Sequence, residues 1–114
     1  MVERENRYDL SAILKAASDP TRRVILTMLA QQGPLRVTDI AQQFDMSLNS
    51  VSKHIKVLEK AGLVSRQTAW REHLIAANMD PVTEIDRWFT QLRSIWDMRL
   101  EALDDALTKE SPDE

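Results

Sequence analysis

Cysteine is absent from the 114 residues, which excludes a disulfide scaffold, a thiolate metal site and a thiol redox switch. Glycine occurs twice and proline four times, too seldom for a linker-rich or low-complexity chain. The longest uncharged stretch, residues 24–35, is broken by Gln31, Gln32, Gly33 and Pro34 and is too short to span a bilayer, so no membrane partner is expected. The opening residues Met1 to Asn6 carry Glu3, Arg4 and Glu5 and lack the apolar centre of a secretory signal. What is left is the expectation of one soluble cytoplasmic domain without internal repeats, 43% hydrophobic and 29% charged.

An excess of positive charge is also missing, since the net charge is −3. That total conceals an asymmetry. Residues 1–45 balance to zero, residues 46–71 carry Lys53, Lys56, Lys60, Arg66 and Arg71 against Glu59 alone, and residues 80–114 sum to −6. A basic segment within an acidic chain is what a protein touching a polyanion with one face would show, although such blocks also mark ordinary solvated faces.

The scarce glycines and prolines punctuate the chain. Leu10, Ile13, Leu14 and Ala17 follow the i, i+3, i+4, i+7 spacing of a short first helix. Asp19-Pro20 supplies a cap and a first-turn proline for a second helix, which buries Ile25, Met28 and Leu29 and stops before Gly33-Pro34. Thr38 is expected to cap a third, short helix containing Ile40, Ala41 and Phe44. Ser47 begins a fourth that ends at Gly62, a residue suited to a left-handed helix terminus. Leu63 to Thr68 and His73 to Ala77 read as the strands of a hairpin with Ala69, Trp70 and Arg71 at its tip. Asp80-Pro81 repeats the cap-plus-proline signal and opens a last helix of about 26 residues, near 40 Å long. The fold class expected is mainly α with a small β-hairpin, a single domain over residues 1–108 whose last helix covers 81–108, followed by a disordered tail at 109–114.

On a helical wheel the fourth helix has two faces. Ile55 and Leu58 lie within about 40° of Val51, whereas Asn49, Lys53, Lys56 and Lys60 fall between about 140° and 200° from it. Asparagine can pair bidentately with the major-groove edge of adenine, and lysines suit guanine acceptors or phosphates. The same lysines would equally solubilise a plain surface helix. The preceding short helix and the turn Asp45-Met46-Ser47 favour a helix-turn-helix, with the hairpin as a wing from which Arg66 and Arg71 reach phosphates or the minor groove. Trp70 is expected to cover apolar surface at the base of the wing, since tryptophan is seldom left exposed.

The run Ala17-Ser18-Asp19-Pro20-Thr21-Arg22-Arg23-Val24-Ile25-Leu26 resembles the second-helix signature of ArsR-type winged-helix repressors. The stretch from Met46 through Ser47-Leu48-Asn49-Ser50-Val51-Ser52-Lys53-His54-Ile55 to Val64 resembles that family's recognition helix and the start of its wing. The resemblance covers roughly residues 8–80 and implies a winged helix-turn-helix repressor, homodimeric, bound to double-stranded DNA at an inverted-repeat operator, its own promoter included. Carried over by position, Ser47, Asn49, Ser50, Ser52, Lys53 and His54 occupy the DNA-facing half of the motif. Two positions depart from the pattern. Leu48 stands where many members have glutamine, and Trp70 replaces a glycine, which implies a wing turn wider or differently angled than the family's.

Many members of this family release DNA on binding metal. The resemblance places their arsenic-sensing Cys-Val-Cys-Asp-Leu at Arg36, Val37, Thr38, Asp39 and Ile40, and their zinc-binding set at Asp86, Trp88, Arg99 and Ala102. One ligand in the second set survives, so no metal and no cofactor is expected. His54 and His73 are the only histidines, and each suits a backbone group or a phosphate as well as a structural role. The small-molecule effector is not visible in the sequence.

Along the last helix, Ile85, Phe89, Leu92, Trp96, Leu103 and Leu107 form an apolar stripe widened by Trp88, Ile95, Leu100 and Ala106. With Leu10, Ile13 and Leu14 of the first helix, residues Ile85, Trp88, Phe89, Leu92, Trp96 and Leu103 make the expected homodimer interface. Arg99 lies inside the stripe and calls for a carboxylate partner, a path to water, or an anionic effector between subunits. Three functions remain in order: a DNA-binding repressor, a winged helix used for protein contacts alone, and an enzyme. For an enzyme the sequence provides no nucleophile with its base and no phosphate-cradling loop, so none is expected.

Overall fold

The computed structural model describes residues 8–110, the side chain of Glu110 excepted. Its elements run α1 (Leu10–Ala17), α2 (Pro20–Gln32), α3 (Val37–Gln42), α4 (Leu48–Lys60), β1 (Val64–Ala69), β2 (Glu72–Ala77) and α5 (Asp80–Glu110). The expected tail at 109–114 is helical at its first two residues, and residues 111–114 lie outside the described part.

Local hydrogen bonds explain where the helices begin and end. The Asp19 carboxylate accepts from the Arg22 backbone N–H at 3.0 Å, satisfying an amide that the first turn of α2 leaves free. Arg22 and Arg23 then reach back over α1: Arg22 Nε donates to the Ala16 carbonyl and Arg23 Nη1 to that of Ala17, both at 2.7 Å. Cationic donors at the carbonyl end of α1 complement its dipole and close its last turn. Helix α3 starts at Val37, with Thr38 inside its first turn rather than capping it. Asp39 Oδ2 accepts from the Arg36 N–H at 3.3 Å, and Phe44 falls beyond the helix end. Asp80 is likewise inside α5, and it is Asn78 Oδ1 that accepts from the Asp80 N–H, at 3.2 Å.

The core is apolar without exception among the described residues. Ile13 and Ala16 of α1, Ile25 and Leu29 of α2, Ile40 of α3 and Val51, Ile55 and Leu58 of α4 meet there. Ile13 is fully buried in its own protomer, which corrects its expected place in a dimer interface: the side chain has no surface left to offer a partner. Gly62 ends α4 at φ +80°, and the C-terminal end of the wing ties back to it, Asn78 Nδ2 donating to its carbonyl at 2.9 Å.

Strands β1 and β2 pair antiparallel from Val64↔Ala77 to Ala69↔Glu72, leaving Trp70 and Arg71 as a two-residue loop. Leu35 adds a bridge on the far side of β2, its N–H donating to the Ile75 carbonyl at 3.0 Å and its carbonyl accepting from the Ile75 N–H at 2.7 Å. The turn is a tight one of two residues. Trp70 adopts φ +64° itself, the conformation that a two-residue hairpin demands at its first loop position and that glycine takes most easily. This geometry also overturns the expected placing of Trp70 at the base of the wing, because it holds the indole at the tip, 90% exposed.

Helix α5 spans 31 residues, about 46 Å at the α-helical rise. Only its start packs on the body, through Pro81, Val82 and Ile85. From Asp86 to Lys109 every residue is exposed. The Cα radius of gyration, 20.8 Å, exceeds the roughly 13 Å of a globular chain this long because that arm stands clear.

Candidate nucleic-acid interface

The candidate interface is built on α4. Val51, Ile55 and Leu58 anchor one side of the helix in the core, so the opposite side must face solvent, and Asn49, Lys53, Lys56 and Lys60 are exposed there. None of the three lysines has an acidic partner among the described residues, so their charges stay available to an incoming polyanion. Ser47 caps the helix, its Oγ accepting from the Ser50 N–H at 3.1 Å while donating to Ser50 Oγ at 3.1 Å. Ser50 and Ser52 are half-buried on the flanks. Leu48, half exposed at the first helical position, sets an apolar group beside these polar ones, the kind of side chain that contacts a thymine methyl in the major groove.

Two expected contacts are placed elsewhere. His54 is turned into the seam between α4 and α2, its Nδ1 3.4 Å from Arg22 Nη1 and 3.8 Å from Asp19 Oδ2. It therefore links the recognition helix to the scaffold instead of facing outward, as its flanking position on the wheel permits. The Asp19 carboxyl is held below its ordinary value chiefly by the Arg22 backbone N–H, with the Arg22 charge adding to the effect. Arg66 leaves β1 toward α4, and its Nε lies 3.1 and 3.2 Å from the two carboxylate oxygens of Glu59. That pairing engages Nε and offsets the charge of the guanidinium.

Arg71 is exposed beside Trp70 and has no acidic partner among the described residues. His73 is exposed on β2 with Nδ1 3.5 Å from Thr68 Oγ1. A feature that sequence reasoning missed is the brace between wing and α3: Arg36 pairs with Asp39 at 3.1 Å and reaches Glu72 at 3.9 Å. Hydrogen bonds from Arg36 dominate in lowering the Asp39 pKa, and the pairing raises that of Arg36. The signal was the opposite charge of Arg36 and Asp39 at i, i+3, but its extension to Glu72 depends on the fold.

Arg36 and Thr38 occupy the positions that the resemblance assigns to the metal-binding thiolates, and Arg36 is engaged there by Asp39. Among the described residues no group of three or more His, Cys, Asp or Glu is gathered where a metal could sit. No described helix is long and apolar enough to cross a membrane. Arg99 has no carboxylate partner within the described protomer; because α5 is bare at that level, its charge is solvated.

A short helix, a turn, an outward basic helix and a braced two-stranded wing define a winged helix-turn-helix protein. A helix-turn-helix domain family model matches residues 17–67. An uncharacterized HTH-type transcriptional regulator of Methanocaldococcus jannaschii is 34% identical over 89 residues, spanning 75% of this chain and 98% of the relative. A crystallised ArsR family transcriptional regulator superposes with a TM-score of 0.70 at 35% identity, covering 77% of this chain and 90% of that one. The homodimeric winged helix-turn-helix DNA-binding domain of a Mycobacterium bovis protein superposes with a TM-score of 0.56 at 26% identity, covering 81% of this chain and 82% of that one. The chain belongs to the ArsR family of winged helix-turn-helix regulators and is a DNA-binding transcriptional regulator, not an enzyme.

Proposed function

We propose that the protein acts in the cytoplasm as a homodimeric repressor that occludes a promoter, its own included, by binding an inverted-repeat operator. The observation that carries this reading is the bare apolar face of α5. Trp88, Phe89, Leu92, Ile95, Trp96, Leu100, Leu103 and Leu107 are between 40% and 65% exposed, an apolar surface that a lone protomer would leave in water and that a second copy covers. Leu14, exposed on α1, and the half-buried Leu10 and Ile85 extend that face. Two-fold pairing along α5 presents two α4 helices to successive major grooves. Asn49 and Lys53 then approach base edges together with Leu48, while Lys56, Lys60 and Arg71 take phosphates. The homodimeric state of the M. bovis neighbour supports the same assembly.

The test reverses charge on α4. Lys53→Glu combined with Lys56→Glu is expected to keep the dimer mass in sedimentation while abolishing duplex retention, and wild-type affinity is expected to fall steeply with salt. Duplex binding that survives the double reversal, or that does not respond to salt, overturns the proposal.

A further inference from the structure

Trp70 combines two costs that the fold does not itself explain. It is the most exposed of the large apolar side chains described, at 90%, and it is the one non-glycine residue among the described ones at positive φ, +64°. A β-carbon disfavours that backbone conformation, and an indole in water forgoes burial, so glycine at this position would remove both costs. Within the described chain nothing offsets them: the ring pair found is Trp88 with Phe89 on α5, and no hydrogen bond engages the Trp70 side chain. The wing beneath it is firmly braced. Leu35 bonds Ile75 in both directions, Arg36 reaches Glu72, and Arg66 is held by Glu59. The indole is therefore carried outward on a rigid ladder.

We propose that Trp70 is an apolar wedge for duplex DNA, entering the minor groove beside the major groove filled by α4 and pushing between two base pairs. This inference rests on the DNA-binding reading above and deepens it. Apolar side chains on minor-groove binders unstack base steps and kink the duplex toward the major groove, and the indole N–H is a donor suited to the acceptors on the groove floor. Arg71, the neighbouring cation, takes the adjacent phosphate. Unstacking is easiest at TA and CA/TG steps, so the operator carries such a step where each wing falls. Because indole is uncharged, this contact adds affinity and bend without releasing counterions.

The probe is a duplex of about 30 base pairs, long enough for two half-sites and their flanks, selected from a random-sequence pool by the wild-type protein and dye-labelled at both ends. Trp70→Gly is expected to fold as well as wild type or better, since it relieves the left-handed backbone. It should bind the duplex about tenfold more weakly, leave it straighter by energy transfer between the ends, and keep the same salt slope. Trp70→Phe should retain most of both affinity and bend. Arg71→Ala should instead make the salt slope shallower by about one. A Trp70→Gly complex of unchanged affinity, or a weaker one with an unchanged bend, overturns the wedge while leaving DNA binding through α4 intact. A wild-type protein that retains no duplex from the pool overturns both readings.

Discussion

Arg66 on the first strand of the wing and Glu59 on the recognition helix form a two-oxygen charge pair, with Nε at 3.1 and 3.2 Å. Glu59 is the single acidic residue in the basic segment 46–71, and it offsets the charge of Arg66 on the first strand of the wing. Releasing that charge should strengthen electrostatic binding. Glu59→Gln is expected to raise low-salt affinity for mixed-sequence duplex several-fold and to steepen the salt slope by about one. Both partners are more than a third exposed, so the cost in stability should not exceed about 1 kcal/mol. A binding titration over a salt series, with chemical denaturation alongside, checks both.

Acid should loosen the scaffold through Asp19 and Asp39. Each carboxyl titrates below its ordinary 3.8, Asp19 chiefly through the Arg22 backbone N–H and Asp39 chiefly through the Arg36 side chain. A folded-state pKa below the unfolded one means that the stabilisation is complete above the unfolded value and is lost as pH falls through the folded value. Thermal melts should therefore show the full contribution of these two groups, with no pH dependence from them, between pH 7 and about 5, and a decline below about 4. Asp19→Asn, which keeps a capping oxygen but does not titrate, should make that acid decline shallower.

Leu92 lies near the middle of the exposed α5 face. Leu92→Glu would force a carboxylate into a dry interface, a cost that breaks the association. The substituted protein should sediment at the monomer mass at micromolar concentration. It should bind a two-half-site duplex no better than a single half-site.

Gly62 ends α4 at φ +80°, and a β-carbon there would stand 3.1 Å from two ring carbons of Tyr8. Gly62→Ala is expected to destabilise the fold by about 2 kcal/mol, from the backbone conformation and the close approach together. Urea denaturation measures it. Gly33→Ala meets no atom within 4 Å and should cost less, leaving only its φ of +85°.

Much of this architecture was legible in one dimension. Asp19, Ser47 and Gly62 sit at the helix ends expected of them, and the wheel separated the exposed lysines of α4 from its buried stripe. Such features depend on residues a few positions apart, where backbone geometry is nearly universal. Boundaries slipped where a signal admitted two readings: Thr38 suits a cap or a first turn, and the Asp80 amide had another acceptor in Asn78.

The amino-acid order by itself determined the succession of helices and hairpin, the single basic face of α4 and the apolar stripe of α5, because each follows from short-range periodicity and chain stiffness. Only the tertiary structure decided that Arg66 is paired with Glu59, that His54 turns toward Asp19 and Arg22, that Ile13 belongs to the home core and that Trp70 projects from the wing. Those outcomes depend on which distant groups come within a few ångströms of each other, and distance through space is not encoded in any local pattern.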